Sequence, residues 1–340
     1  MAPQKPIIDP LLNHQERRIW ERVSLSPPES LWNLQGARLT QIAAKTWKSL
    51  IDDRVFGHAA ELGFYFLFAL FPTLLCAGSI LGLMARSAFR FYDKLLDYLA
   101  VVIPTSALGT VLSTFNETTA AATRGRVTYG LIAAVWSASV GISAIQDTMN
   151  AVYKIQDSRS FIVARIQAIG LTILLTGIVS VGLGSMLLGD YLVKLTELRV
   201  PDLLIRYAMA NVVRLASWVI ASALLALTFA ILYYWAPDCK TRRWHWLTPG
   251  GTIGIVGWLL SSLGFRIYLH FFNNYTITYG SLGAVIILLM WFYITGLMLL
   301  LGAEINSQIE AAAAERSLRQ SAPNKDPGSL IPLPHPGAET

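Results

Sequence analysis

The sequence predicts an all-α fold, a polytopic membrane helical bundle of six transmembrane helices with amphipathic interfacial helices and both termini in the cytoplasm. Two observations predict it. Of the 340 residues, 54% are hydrophobic and only 14% are charged, whereas soluble domains carry about 25% charged residues. Six apolar segments are also long enough to cross a hydrocarbon core, which takes about 20 residues of helix. The bilayer is therefore the expected solvent of this chain.

The six predicted spans have boundaries expected to be good to a few residues. The first contains Glu61 and Pro72, so we expect a long and kinked helix there. The second, third and fourth spans are uninterrupted apolar runs, and the fifth carries Arg266 near one end. The spans are 57–84, 127–148, 167–189, 211–235, 249–272 and 281–304.

The basic residues of the connecting segments predict the orientation. On the side of the N-terminus, the leader, loop 149–166 and loop 236–248 are rich in Lys and Arg, the second of these with Lys154, Arg159 and Arg165. The opposite side has fewer, including Lys194, Arg199 and Arg206 in one loop, and none from Asn273 to Gly280. Cytoplasmic loops carry the excess of basic residues. We therefore expect both termini to lie in the cytoplasm.

The non-spanning segments divide the chain into three parts: a polar leader at 1–38, a membrane domain at 39–312 and a disordered tail at 313–340. Within the domain, segments 88–103 and 108–115 have helical periodicity and predict an amphipathic hairpin on the outer face. Segment 39–55 predicts a basic interfacial helix on the inner face. One interpretation of this helix is a surface anchor, and the other is a gate or a docking site for a partner.

Ionisable residues inside the spans are candidate ligand or mechanistic residues, because they are costly in a membrane. Glu61 follows His58 by three residues, so both share one helix face. Arg214 and Arg266 lie towards the outer ends of their spans and could form an anion site or simply snorkel. Glu304 and Asn306 lie at the opposite end of the last span, where Glu304 could contact basic loop residues but not Arg266.

Other chemistry has little support in the sequence. The five histidines form no pair at metal-ligand spacing, and neither a phosphate-binding lysine loop nor a nucleophile elbow is present. Cys76 and Cys239 are expected to be reduced. We therefore expect no cofactor, no metal, no catalytic residue and no nucleic-acid partner.

Three motifs give a family resemblance from about residue 40 to 312. They are AAELGFYFLFALFPTLL at 59–75, WSASVGISAIQDTMNAVYKI at 136–155 and YGSLGAVIILLMWFYITGLMLLLGAEINSQIE at 279–310. The chain resembles the YihY/virulence factor BrkB family of inner-membrane proteins, historically mislabelled as ribonuclease BN. The resemblance implies six helices and makes ribonuclease activity unexpected. It also implies a set of motif residues that does not include Glu61: Pro72, Trp136, Asn150, Tyr153, Pro249, Gly250, Tyr275, Tyr279, Gly280, Ser281, Gly283, Gly302, Glu304 and Asn306.

Three functions remain open at this stage. The favoured hypothesis is a protein that binds or moves a lipid-like amphiphile of the envelope, with membrane lipids and other envelope proteins as partners. The alternatives are a small-solute or ion transporter with a proton-coupled site at Glu61, and a non-transporting scaffold. Small residues such as Gly250 and Gly254 could pack the bundle or form a homo-oligomer face. A groove open to lipid favours the first hypothesis, and an aqueous vestibule ending at Glu61 favours the second.

Overall fold

The computed structural model describes residues 8–10, 12–25, 30–32, 39–83, 113, 124–199, 201–239, 243–271 and 282–321. Eight helices are formed by these residues. They are α1 (His14–Leu25), α2 (Leu39–Asp52), α3 (Val55–Leu83), α4 (Arg124–Val152), α5 (Phe161–Arg199), α6 (Leu203–Trp235), α7 (Pro249–Phe271) and α8 (Leu282–Ser321). Helices α3 to α8 are long and apolar enough to cross a membrane. The six predicted spans are thereby confirmed as helices.

Several helices extend beyond the predicted spans. Helix α5 runs to Arg199, so the predicted loop with Lys194, Arg199 and Arg206 is wrong: two of these residues are in α5 and one is in α6. After Gly189 no helix breaker precedes Pro201, which disfavours helix at the residue before it. The Asp202 side chain then accepts hydrogen bonds from the Leu204 and Ile205 amides and caps α6.

The terminal segments also contain structure that the sequence did not predict. Helix α1 lies inside the predicted polar leader, and Asn13 and Glu16 exchange hydrogen bonds across its first turn as a capping box. At the other terminus α8 continues through Ala311–Ala314, a run of strong helix formers, to Ser321. Residues 313–321 of the predicted disordered tail are therefore helical. The rest of that tail and the predicted hairpin at 88–115, apart from helical residue 113, lie outside the described residues.

The six long helices pack as a ring. Helix α3 contacts α4 and α8, α8 contacts α7, α4 contacts α5, and α5 contacts α6. The ring closes between α6 and α7, whose mutual contacts are few. Helices α1 and α2 pack on α8 at the end of the bundle where α3 begins and α8 ends. We call this the proximal end and the opposite end the distal end.

Helix α2, predicted as an interfacial helix, is present and packs one face on the bundle. Ile42, Thr46 and Leu50 recur every four residues and are buried, and Lys45 forms an ion pair with Glu315 of α8 at 3.1 Å. Trp47 and Ile51 are exposed. The helix thus presents apolar residues both to the bundle and away from it.

The largest hydrophobic cluster lies at the proximal end. It joins residues of α1, α3, α4, α5, α6 and α8, with Trp20, Met149 and Leu300 among its buried members. A smaller cluster around Phe265, Leu288 and Trp291 joins α7 to α8. In contrast, none of residues 203–228 of α6 is buried. The proximal end is therefore the best-packed part of the bundle that the structure describes.

Pro72 lies inside α3, which continues through it. A proline lacks the amide that would bond to the carbonyl four residues earlier, here that of Phe68. The Ser137 hydroxyl of α4 donates to the Phe68 carbonyl oxygen at 3.4 Å. Ser137 therefore partners the carbonyl that Pro72 leaves free and ties α3 to α4.

Candidate functional site

Many of the motif residues converge at the proximal end. Asn150 and Tyr153 end α4, Pro249 and Gly250 begin α7, and Gly302, Glu304 and Asn306 lie in α8. With nearby polar side chains, they form a layer of buried and partly exposed polar groups that we call the proximal polar layer. Its further members are Ser49, Asp53, Lys154, Asp157, Arg159, Asp238, Thr248, Gln308 and Glu310.

The crossing of α7 and α8 is the tightest contact in this layer. A β-carbon added to Gly250 would collide with the Gly302 carbonyl and the Asn306 side chain, and one added to Gly302 would collide with the Tyr233 hydroxyl and Gly250. Pro249, at the first position of α7, has no amide to leave unpaired there. The two glycines therefore set how closely the helices approach.

Asn306 fastens this crossing with hydrogen bonds. Its Oδ1 accepts from the Gly250 amide and its Nδ2 donates to Thr248 Oγ1, both at 2.9 Å. The Gly250 amide belongs to the first turn of α7, where no helical carbonyl is available. Asn306 thus caps α7 from α8. Nearby, Tyr233 of α6 donates its hydroxyl to the Leu299 carbonyl at 2.9 Å, which brings a third helix to the same point.

Glu304 is fully buried, with 0% of its surface exposed. Its Oε1 accepts from Gln308 Nε2 at 3.0 Å, and Gln308 Nε2 also donates to Ser49 Oγ of α2 at 2.9 Å. Its Oε2 has no hydrogen-bond partner among the described residues. The sequence predicts that Glu304 could contact a basic loop residue. Lys154 is such a residue, and it lies close enough to Glu304 for electrostatic attraction.

Lys154 forms an ion pair with Asp53, which joins the α2–α3 corner to the end of α4. Burial lowers the pKa of Lys154, and the neighbouring carboxylates of Glu304, Asp52, Asp9 and Glu16 oppose that shift. Among the described residues, two that are not glycine have a positive φ: Lys154, at 55°, and Arg54, at 50°. Arg54 directly follows Asp53. Such left-handed residues are strained. Two strained corners therefore face each other across one ion pair.

A second polar group at this end holds the α4–α5 and α6–α7 connections together. Asn150 accepts from the Asp238 amide at 2.7 Å and donates to Asp157 at 3.3 Å. Arg159 pairs with Asp157 at 2.5 Å. Burial acts to raise the pKa of the Asp157 carboxyl, but the hydrogen bonds and charge of Arg159 outweigh it, so the pKa is lowered. Asn150 thus links both connections.

A recess of about 400 Å³ opens beside the layer. Tyr153 donates its hydroxyl to Glu310 at 3.3 Å on one wall, and the opposite wall contains Arg243 and His245. Its walls combine apolar surface with the polar groups of Thr248, Asn306 and Glu310. Its lining is Leu31, Tyr153, Ala230, Tyr233, Tyr234, Arg243, His245, Thr248, Asn306 and Glu310.

The other predicted residues lie elsewhere. His58 Nδ1 is 3.4 Å from Glu61 Oε2 on α3, and the Glu61 side chain is 49% exposed on the outside of the bundle. Arg214 and Arg266 are exposed residues of the distal parts of α6 and α7. Trp136 is an exposed residue of α4 whose ring lies under the Arg165 guanidinium, with 4.1 Å to the ring centroid. Gly283 begins α8, and Tyr275, Tyr279, Gly280 and Ser281 lie outside the described residues.

Sequence reasoning missed some polar residues of the bundle. Lys154 and Arg165 were treated as orientation charges of a loop from 149 to 166. Lys154 does lie in the connection between α4 and α5, but Arg165 belongs to α5, which starts at Phe161. Asp53, Asp147 and Gln308 were not considered. The spacing of Gln308 and Glu304, four residues apart on one helix face, was the available signal for their hydrogen bond.

The described residues contain no group of three or more His, Cys, Asp or Glu side chains that could hold a metal ion. They do contain six membrane-length apolar helices tied together at one end by buried polar groups. These features define a multi-pass helical membrane protein. The sequence profile of the family described as "Virulence factor BrkB" matches residues 46–326. The chain belongs to this family.

Relatives in other bacteria are similar over most of the chain. A ribonuclease-like protein, YfkH, of Bacillus subtilis (strain 168) is 33% identical over 251 residues, covering 73% of this chain and 88% of the relative. The UPF0761 membrane proteins of Xanthomonas oryzae pv. oryzae (strain PXO99A) and Xanthomonas campestris pv. campestris (strain B100) are each 27% identical over 278 residues. These matches cover 81% of this chain and 62% of each relative. No solved structure matches.

Proposed function

We propose that this protein binds an anionic, lipid-like amphiphile between the distal halves of α6 and α7, as the first step in moving it within the bacterial envelope. The proximal end then faces the cytoplasm and the distal end faces the opposite side of the inner membrane. The observation that carries the proposal is the contrast between the two ends of the α6–α7 contact.

At the proximal end the two helices touch closely. A β-carbon added to Gly254 of α7 would lie 3.1 Å from the Tyr233 hydroxyl and 3.4 Å from the Phe229 ring of α6. Beyond Phe229 the half-buried residues of α6 recur every three or four positions, among them Val213, Ser217 and Leu224. Ser217 and Leu224 face Gly189 and Gly182 of α5. Distally, α6 therefore packs on α5. This leaves its side towards α7 without close packing, which favours a lateral cleft between α6 and α7.

The two arginines lie on the helix faces that border this cleft. Arg214 precedes Leu225 by 11 residues, and Arg266 follows Ile255 by 11 residues. Eleven residues are about three helical turns, so each pair shares a face. Leu225 and Ile255 both pack against the proximal cluster. We infer that Arg214 and Arg266 continue, towards the distal end, the faces by which α6 and α7 meet.

This arrangement suits an anionic amphiphile. Apolar side chains of α6 and α7, such as Leu215, Val219 and Leu263, are exposed in the same region and would contact acyl chains. Guanidinium groups bind phosphate and carboxylate through paired hydrogen bonds. Both arginines are at least 15 residues, about 22 Å, distal to the Tyr233–Gly251 contact. That depth is suited to a headgroup of the distal leaflet.

The proton-coupled solute transporter has less support. A coupling carboxylate should line an internal polar cavity, but Glu61 is half exposed on the outer surface of α3. The recess that the structure shows lies at the proximal face and is not lined by Glu61. A role as a scaffold that anchors other envelope proteins would not explain the cleft and its arginines. That role becomes the preferred function if no bound amphiphile is found.

Native mass spectrometry of protein released gently from its own membrane tests the proposal. We expect a co-purifying anionic lipid that is retained by the wild type and lost from Arg214→Gln, Arg266→Gln and the double variant. Arg319→Gln is the matched control, because this exposed arginine pairs with Glu315 at the proximal end. A wild type that carries no lipid, or a lipid retained by the double variant, would exclude the distal site.

A further inference from the structure

A second group of charged side chains lies on the membrane-facing surface of α3, α4 and α5, away from the cleft. It consists of His58, Glu61, Asp147 and Arg165, which we call the membrane-facing polar stripe. All four residues belong to membrane-length helices. Charged groups at such positions are costly unless they have a partner or a ligand. Arg159 of the proximal polar layer attracts Asp147 electrostatically, but neither that layer nor the proposed amphiphile cleft uses Arg165, His58 or Glu61.

The register of α3 against α4 places the acidic members at one depth. Ser137 bonds to the Phe68 carbonyl, and a β-carbon on Gly141 would lie 4.0 Å from the Tyr65 β-carbon. The helices are antiparallel neighbours, so four residues further along α4 correspond to four residues back along α3. Glu61 is therefore level with residue 145, about 3 Å from the level of Asp147. The two carboxylates are close enough to repel each other.

Arg165 supplies the positive charge of the stripe. Its guanidinium lies over the Trp136 ring, and its Nη1 and Nη2 donate to Ser143 Oγ at 3.4 Å and to the Trp136 carbonyl at 3.3 Å. Trp136, Ser143 and Asp147 are spaced by seven and four residues, so they share one face of α4. The Arg165 side chain thus lies along the same face as Asp147. Its buried Nε has no partner among the described residues.

The depth of the stripe matches that of lipid headgroups. Helix α3 has 29 residues, a length of about 44 Å, whereas the hydrocarbon core is about 30 Å thick. Glu61 is six residues, about 9 Å, from the start of α3 at Val55. A centred helix therefore holds Glu61 just inside the proximal edge of the hydrocarbon. Headgroups reach this depth, whereas an ion pathway would need polar groups continuing towards the middle of the membrane.

We propose that the membrane-facing polar stripe binds the headgroup of an aminophospholipid from the proximal leaflet. Arg165 holds the phosphate, and Glu61 and Asp147 accept hydrogen bonds from the primary ammonium. A phosphoethanolamine group carries one charge of each sign, and the stripe offers each of them side chains of the opposite sign. The headgroup gives each charged side chain a partner of opposite sign. The assignment uses none of the residues of the distal cleft, so the two proposals stand or fall separately.

The test is competitive lipid binding followed by native mass spectrometry. Delipidated full-length protein is mixed with equal amounts of palmitoyl-oleoyl phosphatidylethanolamine, phosphatidylcholine and phosphatidylglycerol. We expect phosphatidylethanolamine adducts to exceed phosphatidylcholine adducts about tenfold, because a quaternary ammonium cannot donate the charge-assisted hydrogen bonds. Phosphatidylglycerol, which has no amine, should also bind more weakly than phosphatidylethanolamine.

Variants separate the two halves of the stripe. Glu61→Gln with Asp147→Asn should abolish the preference for phosphatidylethanolamine, while Arg165→Gln should weaken the binding of all three phospholipids. Glu61→Gln alone, at a half-exposed position, gives a partial loss and serves if the double variant does not fold. Glu315→Gln and the double distal variant Arg214→Gln/Arg266→Gln should leave the preference intact. Equal binding of the three lipids by the wild type, tightest binding of phosphatidylglycerol, or a preference that survives the stripe variants would overturn the proposal.

Discussion

The proximal end and the distal half of the bundle are stabilised in different ways, although the same helices pass through both. Proximally, α6 packs Phe229 and Tyr233 against α7 and buries Ile231 in the largest hydrophobic cluster. Distally, none of residues 203–228 is buried, and the helix packs mainly on α5. Lipid tails are as apolar as leucine, so a membrane does not drive apolar faces together. Close packing and buried hydrogen bonds must hold the bundle, and they are concentrated proximally.

The contrast assigns different tasks to the two regions. A rigid proximal end fixes the relative positions of six helices, and a loosely packed distal half can admit a ligand between α6 and α7 without unfolding the bundle. Ligand-binding elements are commonly drawn from the least stable part of a fold. Substitutions at the proximal end should therefore affect stability, and those at the distal arginines should affect lipid retention alone.

The largest expected effect is at the α7–α8 crossing. Gly250→Val should abolish the folded state, because its side chain would occupy the position of the Gly302 carbonyl and Asn306. The control is Gly264→Ala in the same helix, where an added β-carbon meets nothing within 4 Å. That change should be neutral or stabilise by about 0.5–1 kcal/mol, since alanine is the better helix former. Thermal unfolding in detergent measures both, and a stable Gly250→Val protein would contradict the close approach.

The next effect concerns the buried ion pair between the two strained corners. Lys154→Met should destabilise the protein by about 3–5 kcal/mol, because it leaves Asp53 and Glu304 buried without their cation. Lys154→Met with Asp53→Asn should recover part of that loss. The matched control is Lys45→Met, which breaks the exposed pair with Glu315 and should cost about 0–1 kcal/mol. If both lysine variants lose the same stability, the proximal layer is not held by this pair.

A smaller effect depends on pH. The pKa of Asp157 is lowered in the folded protein, so its contribution to stability is present above the unfolded pKa of about 3.9 and is lost as the pH falls through the folded value. Asp157→Asn should cost about 1–2 kcal/mol at pH 7. The difference from the wild type should narrow below pH 4. A difference that is constant from pH 7 to pH 3 would show that the carboxylate charge is not what stabilises this turn.

The sequence predicted the spans well because twenty apolar residues have few alternatives in a membrane. It also identified the motif residues of α4, α7 and α8 that meet proximally. It could not predict that Asn306 caps α7 or that Ser137 bonds to the carbonyl freed by Pro72, since each partner is distant in sequence. Helix ends were misplaced at Arg165 and Lys194 because charged residues were taken to end a helix, whereas helices continue past the hydrocarbon until a breaker such as Pro201.

The last prediction compares the two halves of a single helix, and it includes the smallest single effect, that of Leu215→Ala. Ile231 and Leu215 are both aliphatic residues of α6, but Ile231 is 4% exposed and Leu215 is 66% exposed. Ile231→Ala should cost about 2–4 kcal/mol through the cavity that it leaves in the proximal cluster, and Leu215→Ala should change stability by less than about 0.5 kcal/mol. Thermal unfolding of both variants in the same detergent, with added anionic lipid as a second condition, gives the comparison. If Leu215 contacts a bound acyl chain, the added lipid should raise the stability of Leu215→Ala by less than it raises that of the wild type. It should raise the stability of Ile231→Ala by as much as that of the wild type. Equal costs for the two substitutions would mean that the distal half is packed as tightly as the proximal end, and the cleft between α6 and α7 would have to be abandoned.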